Sequence, residues 1–380
     1  MAEPARDPAP GVSFFGWEHE KEHREEWLRC VADVLDSGQW LSHGNPQVAA
    51  FEREFAAWLG RDHAVAVSSG SEALALTFEA LALPAGGEVI TPAFTFQATA
   101  AAVARAGLTP RFVDVRPSDL QLDPAAVADA ITARTVAILP VHLYGLPAPA
   151  DELARLAEAS GLVMVEDCAQ AVGAGTHGGP AGTRSVAACF SCGPTKQLSG
   201  PAEAGVIALD DAALAQTLRA LRHNGAAASF RHEHLGRNAM MGALDAAFLR
   251  HRLGRLDREN AARRRIAEHY AAVFADDPLI SPVVPQQWAH ASPSKATVRL
   301  PHPARDAVRT ALEHAGIPTA VHYAVPLHRQ PCFAGLPPVS LPVTDEAART
   351  VLSLPLHAGL GPSDVDHIAE EVKRAVKEKA

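Results

Sequence analysis

From His63 onward the chain alternates short apolar runs with helical patterns, and this alternation constrains the fold more than any other feature. Strand-like runs fall at His63–Val67, Glu88–Thr91, Arg111–Val115, Val136–Val141 and Leu162–Glu166. Helical patterns separate them at Glu72–Leu83, Ala98–Ala106, Pro124–Ile131 and Asp151–Ser160. Strands that take turns with helices predict an α/β fold with a mostly parallel sheet, since each parallel crossover needs a connecting helix that then covers a face. Two more strand runs follow at Ala187–Ser191 and Gly205–Leu209. Upstream, Glu18–Leu35 is amphipathic, and Asn45-Pro46 opens a second helix as N-cap and first-turn proline. Val48, Phe51, Phe55 and Leu59 form its apolar face, and Gly60 ends it. Downstream, Asp211–His223 reads as a helix, and one long helical segment, Ala243–Phe274, leads into a second domain. The proline-rich stretch Pro278–Pro293 reads as loop; strand, helix and strand signals follow to His322, and a last helix covers Pro362–Lys377. The expected division is a loose arm over 1–12, a large domain over 13–250 and a smaller C-terminal α/β domain over 251–380.

Composition excludes several classes. A hydrophobic content of 48% with 20% charged residues describes a globular chain. A net charge of -9 leaves no general basic face for nucleic acid, although a few arginines or helix N-termini could still bind a small anion. No run is long and apolar enough to span a membrane, and the polar, proline-rich start does not read as a signal peptide. Five cysteines without regular spacing fit a reducing cytoplasm rather than a disulfide framework. Cys189 and Cys192 form an isolated C-x-x-C that reads as packing, and no metal site is expected.

The chemistry begins with lysine usage. Between Lys21 and Lys295 the chain has one lysine, Lys196, while arginine is used freely. It follows a strand run that ends in Glu166-Asp167. Pyridoxal phosphate needs a lysine amine for its aldehyde and a carboxylate facing its pyridine nitrogen. Strand alternation lets only one of Glu166 and Asp167 face a ligand; an aspartate at the strand's end fits that role, with Glu166 as competitor. Ser68-Ser69-Gly70-Ser71 forms a tight turn between strand and helix whose free N–H groups suit a phosphate, although the same pattern also makes an ordinary helix cap. Phe94 and Phe96 end the next strand and could stack on a flat ring or simply pack; Ser191 precedes Lys196 and could reach the same phosphate. Arg263-Arg264-Arg265 reads as a solvated helix face, and no G-x-G-x-x-G follows the first strand.

In this order the motifs resemble the PLP-dependent sugar aminotransferases of the DegT/StrS group. The similarity runs from about Gly38 to the last helix. It rests on Ser42-His43-Gly44-Asn45-Pro46-Gln47-Val48, Ser69-Gly70-Ser71-Glu72, Thr95-Phe96-Gln97-Ala98-Thr99 and Val141-His142-Leu143-Tyr144-Gly145. It continues through Glu166-Asp167-Cys168-Ala169-Gln170, Phe190-Ser191, Pro194-Thr195-Lys196, His322-Tyr323, Pro326-Leu327-His328 and Leu352-Ser353-Leu354-Pro355. The resemblance implies fold type I, with a large domain built on a seven-stranded type of sheet, and amino transfer from glutamate or glutamine to a sugar ketone. That acceptor would be a nucleotide-linked keto-deoxysugar; a cyclitol or free amino sugar on the same scaffold, or a non-catalytic regulatory role, are the alternatives. It further implies that Lys196 bonds pyridoxal phosphate and moves protons, and that Asp167 pairs with the ring nitrogen. Gln170 would lie by the phenolic oxygen, Phe96 on the ring face, and Gly70, Ser71 and Ser191 around the phosphate. Asn238 would reach the phosphate of a neighbouring subunit, making a homodimer with shared sites. His322, Tyr323 and His328 would meet substrate. A dehydrating branch of the family carries histidine at the lysine position, so Lys196 points to amino transfer. Met240 stands where the family has an arginine, and Glu203-Ala204-Gly205 and Arg222-His223-Asn224-Gly225 also depart from its pattern.

Overall fold

The computed structural model describes residues 12–228 and 230–379; residues 1–11 of the expected arm lie outside it. Helices α1 (Arg24–Ser37) and α2 (Pro46–Leu59) precede the sheet. Asn45 caps α2 by accepting from the Gln47 N–H at 2.9 Å. The Val48, Phe51, Phe55 and Leu59 face is buried, as the periodicity predicts.

The strands are β1 (His63–Val67), β2 (Glu88–Pro92), β3 (Thr109–Val113), β4 (Thr135–Ile138), β5 (Val163–Asp167), β6 (Ala187–Ser191) and β7 (Gly205–Leu209). They form a seven-stranded sheet in the order β1-β7-β6-β5-β4-β2-β3. Only β7 runs against its neighbours, pairing antiparallel with β1 and β6. Crossover helices α3 (Gly70–Leu81), α4 (Gln97–Arg105), α5 (Pro124–Ala130) and α6 (Ala150–Ala159) lie between the first five strands, and α7 (Ala212–Leu221) follows the last. One face of the sheet packs Ala66, Phe190 and Val206 with α2, and the other packs Val65, Cys189 and Ile207 with α3 and α7. Fully buried strands explain why their runs are nearly continuous in apolar residues.

The long segment predicted over Ala243–Phe274 is two helices, α8 (Ala243–Leu253) and α9 (Leu256–Phe274), broken at Gly254-Arg255. Leu256 joins the core around α2, whereas Ile266, Tyr270 and Phe274 join a separate core with β8 (Ala296–Arg299), α10 (Arg305–His314), β9 (Val351–Leu354) and α12 (Pro362–Lys379). So α9 spans both cores. Between β9 and α10, helix α11 (Pro342–Thr350) packs back toward the large domain. The stretch predicted as loop over Pro278–Pro293 contains two short strands. Ser281–Pro282 pairs with β8, and Ala289–His290 pairs with Gly175–Thr176. Among the described residues no helix is long and apolar enough to cross a membrane.

Candidate active site

The carboxyl ends of β1, β5 and β6 converge on one edge of the sheet, where open α/β sheets bind ligands. Asp167 is the last residue of β5 and is buried. Its Oδ2 accepts from Thr99 Oγ1 at 2.8 Å and its Oδ1 from the Ala169 N–H at 3.1 Å. Burial nevertheless pushes its carboxyl above the ordinary aspartate range. Glu166 points to the opposite face and is fully engaged there. Its Oε1 takes His142 Nε2 at 3.1 Å and the Gly182 N–H at 2.9 Å; its Oε2 takes the Arg184 N–H at 3.1 Å and Ser185 Oγ at 2.7 Å. Burial alone would raise the Glu166 carboxyl, but these donors outweigh it and hold it below the ordinary range. Because His142 Nδ1 accepts from the Ala148 N–H at 3.0 Å, its proton sits on Nε2 and it donates to Glu166 as neutral imidazole. The alternation thus turns Asp167, not Glu166, toward Lys196.

Lys196 lies in the turn after β6, held by its N–H to the Gly193 carbonyl at 3.0 Å. It is partly buried, and desolvation lowers its amine below the ordinary lysine value although Asp167 and Glu203 oppose the shift. A lysine so placed has more of the neutral form that attacks an aldehyde.

The third element is the turn into α3. Ser69 caps the helix, accepting from the Glu72 N–H at 3.1 Å, which leaves Gly70 and Ser71 N–H groups in the first turn. Ser191, the last residue of β6, faces it closely: a Cβ on Gly70 would stand 2.6 Å from Ser191 Cβ. Only glycine permits this approach. Gly70 and Ser191 are buried while Ser71 is exposed, a cradle open on one side.

Gln170 is buried and committed within the chain. Its Oε1 accepts from the Tyr144 N–H at 3.0 Å and its Nε2 donates to Tyr323 Oη at 3.1 Å. The Tyr323 hydroxyl, with its acidity suppressed by burial, keeps its own proton to donate onward. Phe96 is 56% exposed, its ring centroid 6.2 Å from that of Tyr323, so one face is free for a planar group. His322 Nδ1 lies 3.0 Å from Ser353 Oγ; burial together with the charges of Lys295 and Lys196 pushes the ring down to about 4.

Two expected residues stand apart from this group. His328 Nε2 lies 3.1 Å from Asp345 Oδ1 on α11, away from the hydrogen-bond network described above. Asn238 is exposed beside the end of β1, where the neighbouring Ala239 carbonyl accepts from the Ser68 N–H at 2.8 Å. The arginine run also differs from its predicted solvated face. Arg265 is exposed, but Arg264 Nε donates to the Ala291 carbonyl at 3.0 Å and the Arg263 side chain is only 11% exposed. Thr99 was not singled out by the sequence, although Thr95 and Thr99 sit at helical spacing and their hydroxyls meet at 3.0 Å. Nor was Gln197, whose Nε2 clamps the Gln170 carbonyl at 2.6 Å and the Ser292 carbonyl at 2.7 Å. Cys189 and Cys192 face the cores on opposite sides of the sheet, as packing residues do.

These residues fit pyridoxal phosphate. The Gly70–Ser191 approach sets the start of α3 close beside the Ser191 hydroxyl, and the raised Asp167 carboxyl has the burial and placement to share a proton with a ring nitrogen. Comparison with known proteins gives the same direction. A sequence model described as the DegT/DnrJ/EryC1/StrS aminotransferase family matches residues 21–373. The chain is 43% identical to the erythromycin biosynthesis sensory transduction protein EryC1 of Saccharopolyspora erythraea, over 93% of this chain and 96% of that protein. It is 41% identical to dTDP-3-amino-3,4,6-trideoxy-alpha-D-glucose transaminase of Streptomyces venezuelae, over 93% of each. Among solved structures, S. venezuelae DesV in complex with a ketimine intermediate superposes with a TM-score of 0.93 at 39% identity, covering 97% of this chain and 99% of DesV.

Proposed function

We propose, from the premise that the chain belongs to the DegT/DnrJ/EryC1/StrS aminotransferase family, that it transfers an amino group from glutamate or glutamine to the ketone of a nucleotide-linked deoxysugar. The observation that carries this reading is the convergence of Lys196, Asp167 and the Gly70–Ser191 cradle on one sheet edge. Pyridoxal phosphate, when bound, supplies an aldehyde that carries the amino group and a ring that takes up electron density.

The chain's own groups do the rest. Gly70 and Ser71 N–H groups and the Ser191 hydroxyl bind the phosphate at the positive end of α3. Asp167, oriented by Thr99 and Ala169, keeps a proton on the ring nitrogen. The Lys196 amine, with its basicity lowered by burial, removes and returns the proton on the substrate carbon. Phe96 covers one ring face, and the Tyr323 hydroxyl, oriented by Gln170, donates toward the phenolic oxygen or the substrate. An intact set of these groups disfavours a purely regulatory protein, despite the sensory name that EryC1 carries.

A second copy of the chain completes the site in this reading. Asn238 is exposed, and Trp40, Leu41, Phe230 and Leu235 are exposed large apolar residues, from 66% for Trp40 to full exposure for Leu235. Such surface calls for a partner, and a two-fold pair would let Asn238 reach the other copy's phosphate. Purified enzyme should aminate a keto-sugar nucleotide with glutamate or glutamine as donor. Turnover only with keto-cyclitols would replace the acceptor; no turnover with any ketone would remove the function.

A further inference from the structure

The cavity beside Lys196 is lined by four cationic side chains, Lys196, Lys295, Arg252 and Arg263, and by one carboxylate, Glu20. Arg252 is paired, 3.0 Å from Glu20 and 3.2 Å from Glu259. Of the remaining three, Lys295 and Arg263 have no hydrogen-bonded carboxylate among the described residues. Arg263 stands 3.8 Å from Glu259, too far for a hydrogen bond, and its buried Nη1 has no hydrogen-bond partner among the described residues. Lys295 Nζ reaches the Ser294 carbonyl at 3.2 Å and lies 5.5 Å from the centroid of the Phe15 ring. The Ser294 hydroxyl is likewise buried without a partner among the described residues.

Desolvation, with the charges of Lys196 and Arg263 behind it, pushes the Lys295 amine down to about 7; desolvation likewise pushes Arg263 to about 10. With Lys295 lacking a carboxylate and Arg263 only loosely paired with Glu259, two buried cations beside a reactive lysine disfavour the empty cavity, and an arriving anion offsets that cost. Phe14, Phe15 and Trp17 close the cavity on one side, with Trp17 Nε1 donating to the Pro194 carbonyl at 3.1 Å. Its volume is about 30 Å³, and one water takes about 10–15 Å³ of such space. A carboxylate fits that volume, whereas a nucleoside diphosphate does not.

We infer that this cavity is the subsite for a carboxylate of the amine donor, held by Lys295 and Arg263 with the Ser294 hydroxyl. The inference rests on the aminotransferase reading above and names where its donor binds. Sequence reading placed nothing at Lys295. The scarcity of lysine that singled out Lys196 was the available signal, since Lys295 is the next lysine in the chain.

The test titrates the holoenzyme calorimetrically with glutarate, a dicarboxylate without the amine, and with dTDP as the phosphate probe. Lys295→Met should weaken glutarate binding at least about tenfold and leave dTDP binding within about twofold. Its melting temperature should hold or rise, because a strained charge has gone. Wild-type glutarate affinity should fall about tenfold per pH unit above pH 7, as Lys295 loses its proton. Of the groups facing Lys295, His322 at about 4 and Arg263 at about 10 titrate outside the range pH 7 to 9, and Arg252 and Glu20 are paired with each other. Lys196 remains, and the variants separate it. Lys295→Arg should keep the affinity and lose the slope, whereas a slope that survives in Lys295→Met belongs to Lys196 and overturns the assignment. Unchanged glutarate binding in Lys295→Met, or a loss of dTDP binding with or without glutarate, also overturns it. Failure of the aminotransferase reading looks different: the wild type would bind glutarate and still transfer no amine to any keto sugar.

Discussion

Glu166 and Asp167 are neighbours in sequence, yet β5 turns them to opposite faces, and their surroundings set different tasks. Glu166 receives four donors in a buried network; Asp167 receives two and keeps a carboxyl raised by burial. Asp167→Asn should therefore leave melting nearly unchanged and slow proton transfer at least about a hundredfold, about 3 kcal/mol of barrier. Single-turnover kinetics and a thermal melt check both halves. Glu166→Gln should do the reverse, destabilising the fold by about 2 kcal/mol or more with a milder effect on rate. Glu166's folded value is depressed below 4.5, so its contribution is present above pH 4.5 and is lost as pH falls through the folded value. The acid limb of the stability profile should accordingly flatten in Glu166→Gln, as read by denaturant melts from pH 3 to 6. A crippled Glu166→Gln rate beside a mild Asp167→Asn would place the wrong carboxylate at the site. At this scale the sequence was legible where alternation applies, as for this pair. It was not legible where a contact joins distant segments: Gln197 meets Ser292, and Arg263 leaves its expected solvated face to line a cavity with Lys196.

The turn from β1 into α3 and the end of β6 form the proposed phosphate cradle, and glycine at position 70 lets them touch. With Gly70→Ala the new Cβ would meet Ser191 Cβ at 2.6 Å, so strand end and helix start must part. Titration of apoprotein with pyridoxal phosphate should show at least a tenfold weaker cofactor, about 1.4 kcal/mol. Affinity equal to wild type would mean that the phosphate binds elsewhere. Strands were the elements most readable in advance, since a buried parallel strand is a short apolar run whatever surrounds it; β1, β6 and β7 match to the residue. Helix ends were less so. The break between α8 and α9 is marked only by Gly254, a residue that helices also tolerate internally. The two-residue strands at Ser281–Pro282 and Ala289–His290 have no periodicity to read; pairing with distant partners defines them.

At the scale of the whole molecule, two cores share α9, and the proposed site draws Asp167 from the end of β5, Lys196 from the turn after β6, and His322 and Tyr323 from the segment after α10. The proposed second copy adds Asn238. Neither Lys196→Ala nor Asn238→Ala alone should support wild-type turnover. Mixed under conditions of verified subunit exchange, the two variants place both lesions in one composite site and none in the other, so part of the activity should return. Mixing that restores nothing, with Asn238→Ala itself inactive, would argue for a site built from one chain.

For Lys196 as the lysine that carries the cofactor the chain provides its own control, because Lys295 also lines the cavity and its amine is depressed to about 7. Borohydride reduction of the holoenzyme followed by peptide mapping measures the attachment directly. The cofactor should be fixed to the single peptide containing Lys196, and Lys196→Ala should abolish both label and turnover. Label on Lys295, or a Lys196→Ala protein that still traps pyridoxal phosphate and turns over, would contradict that assignment.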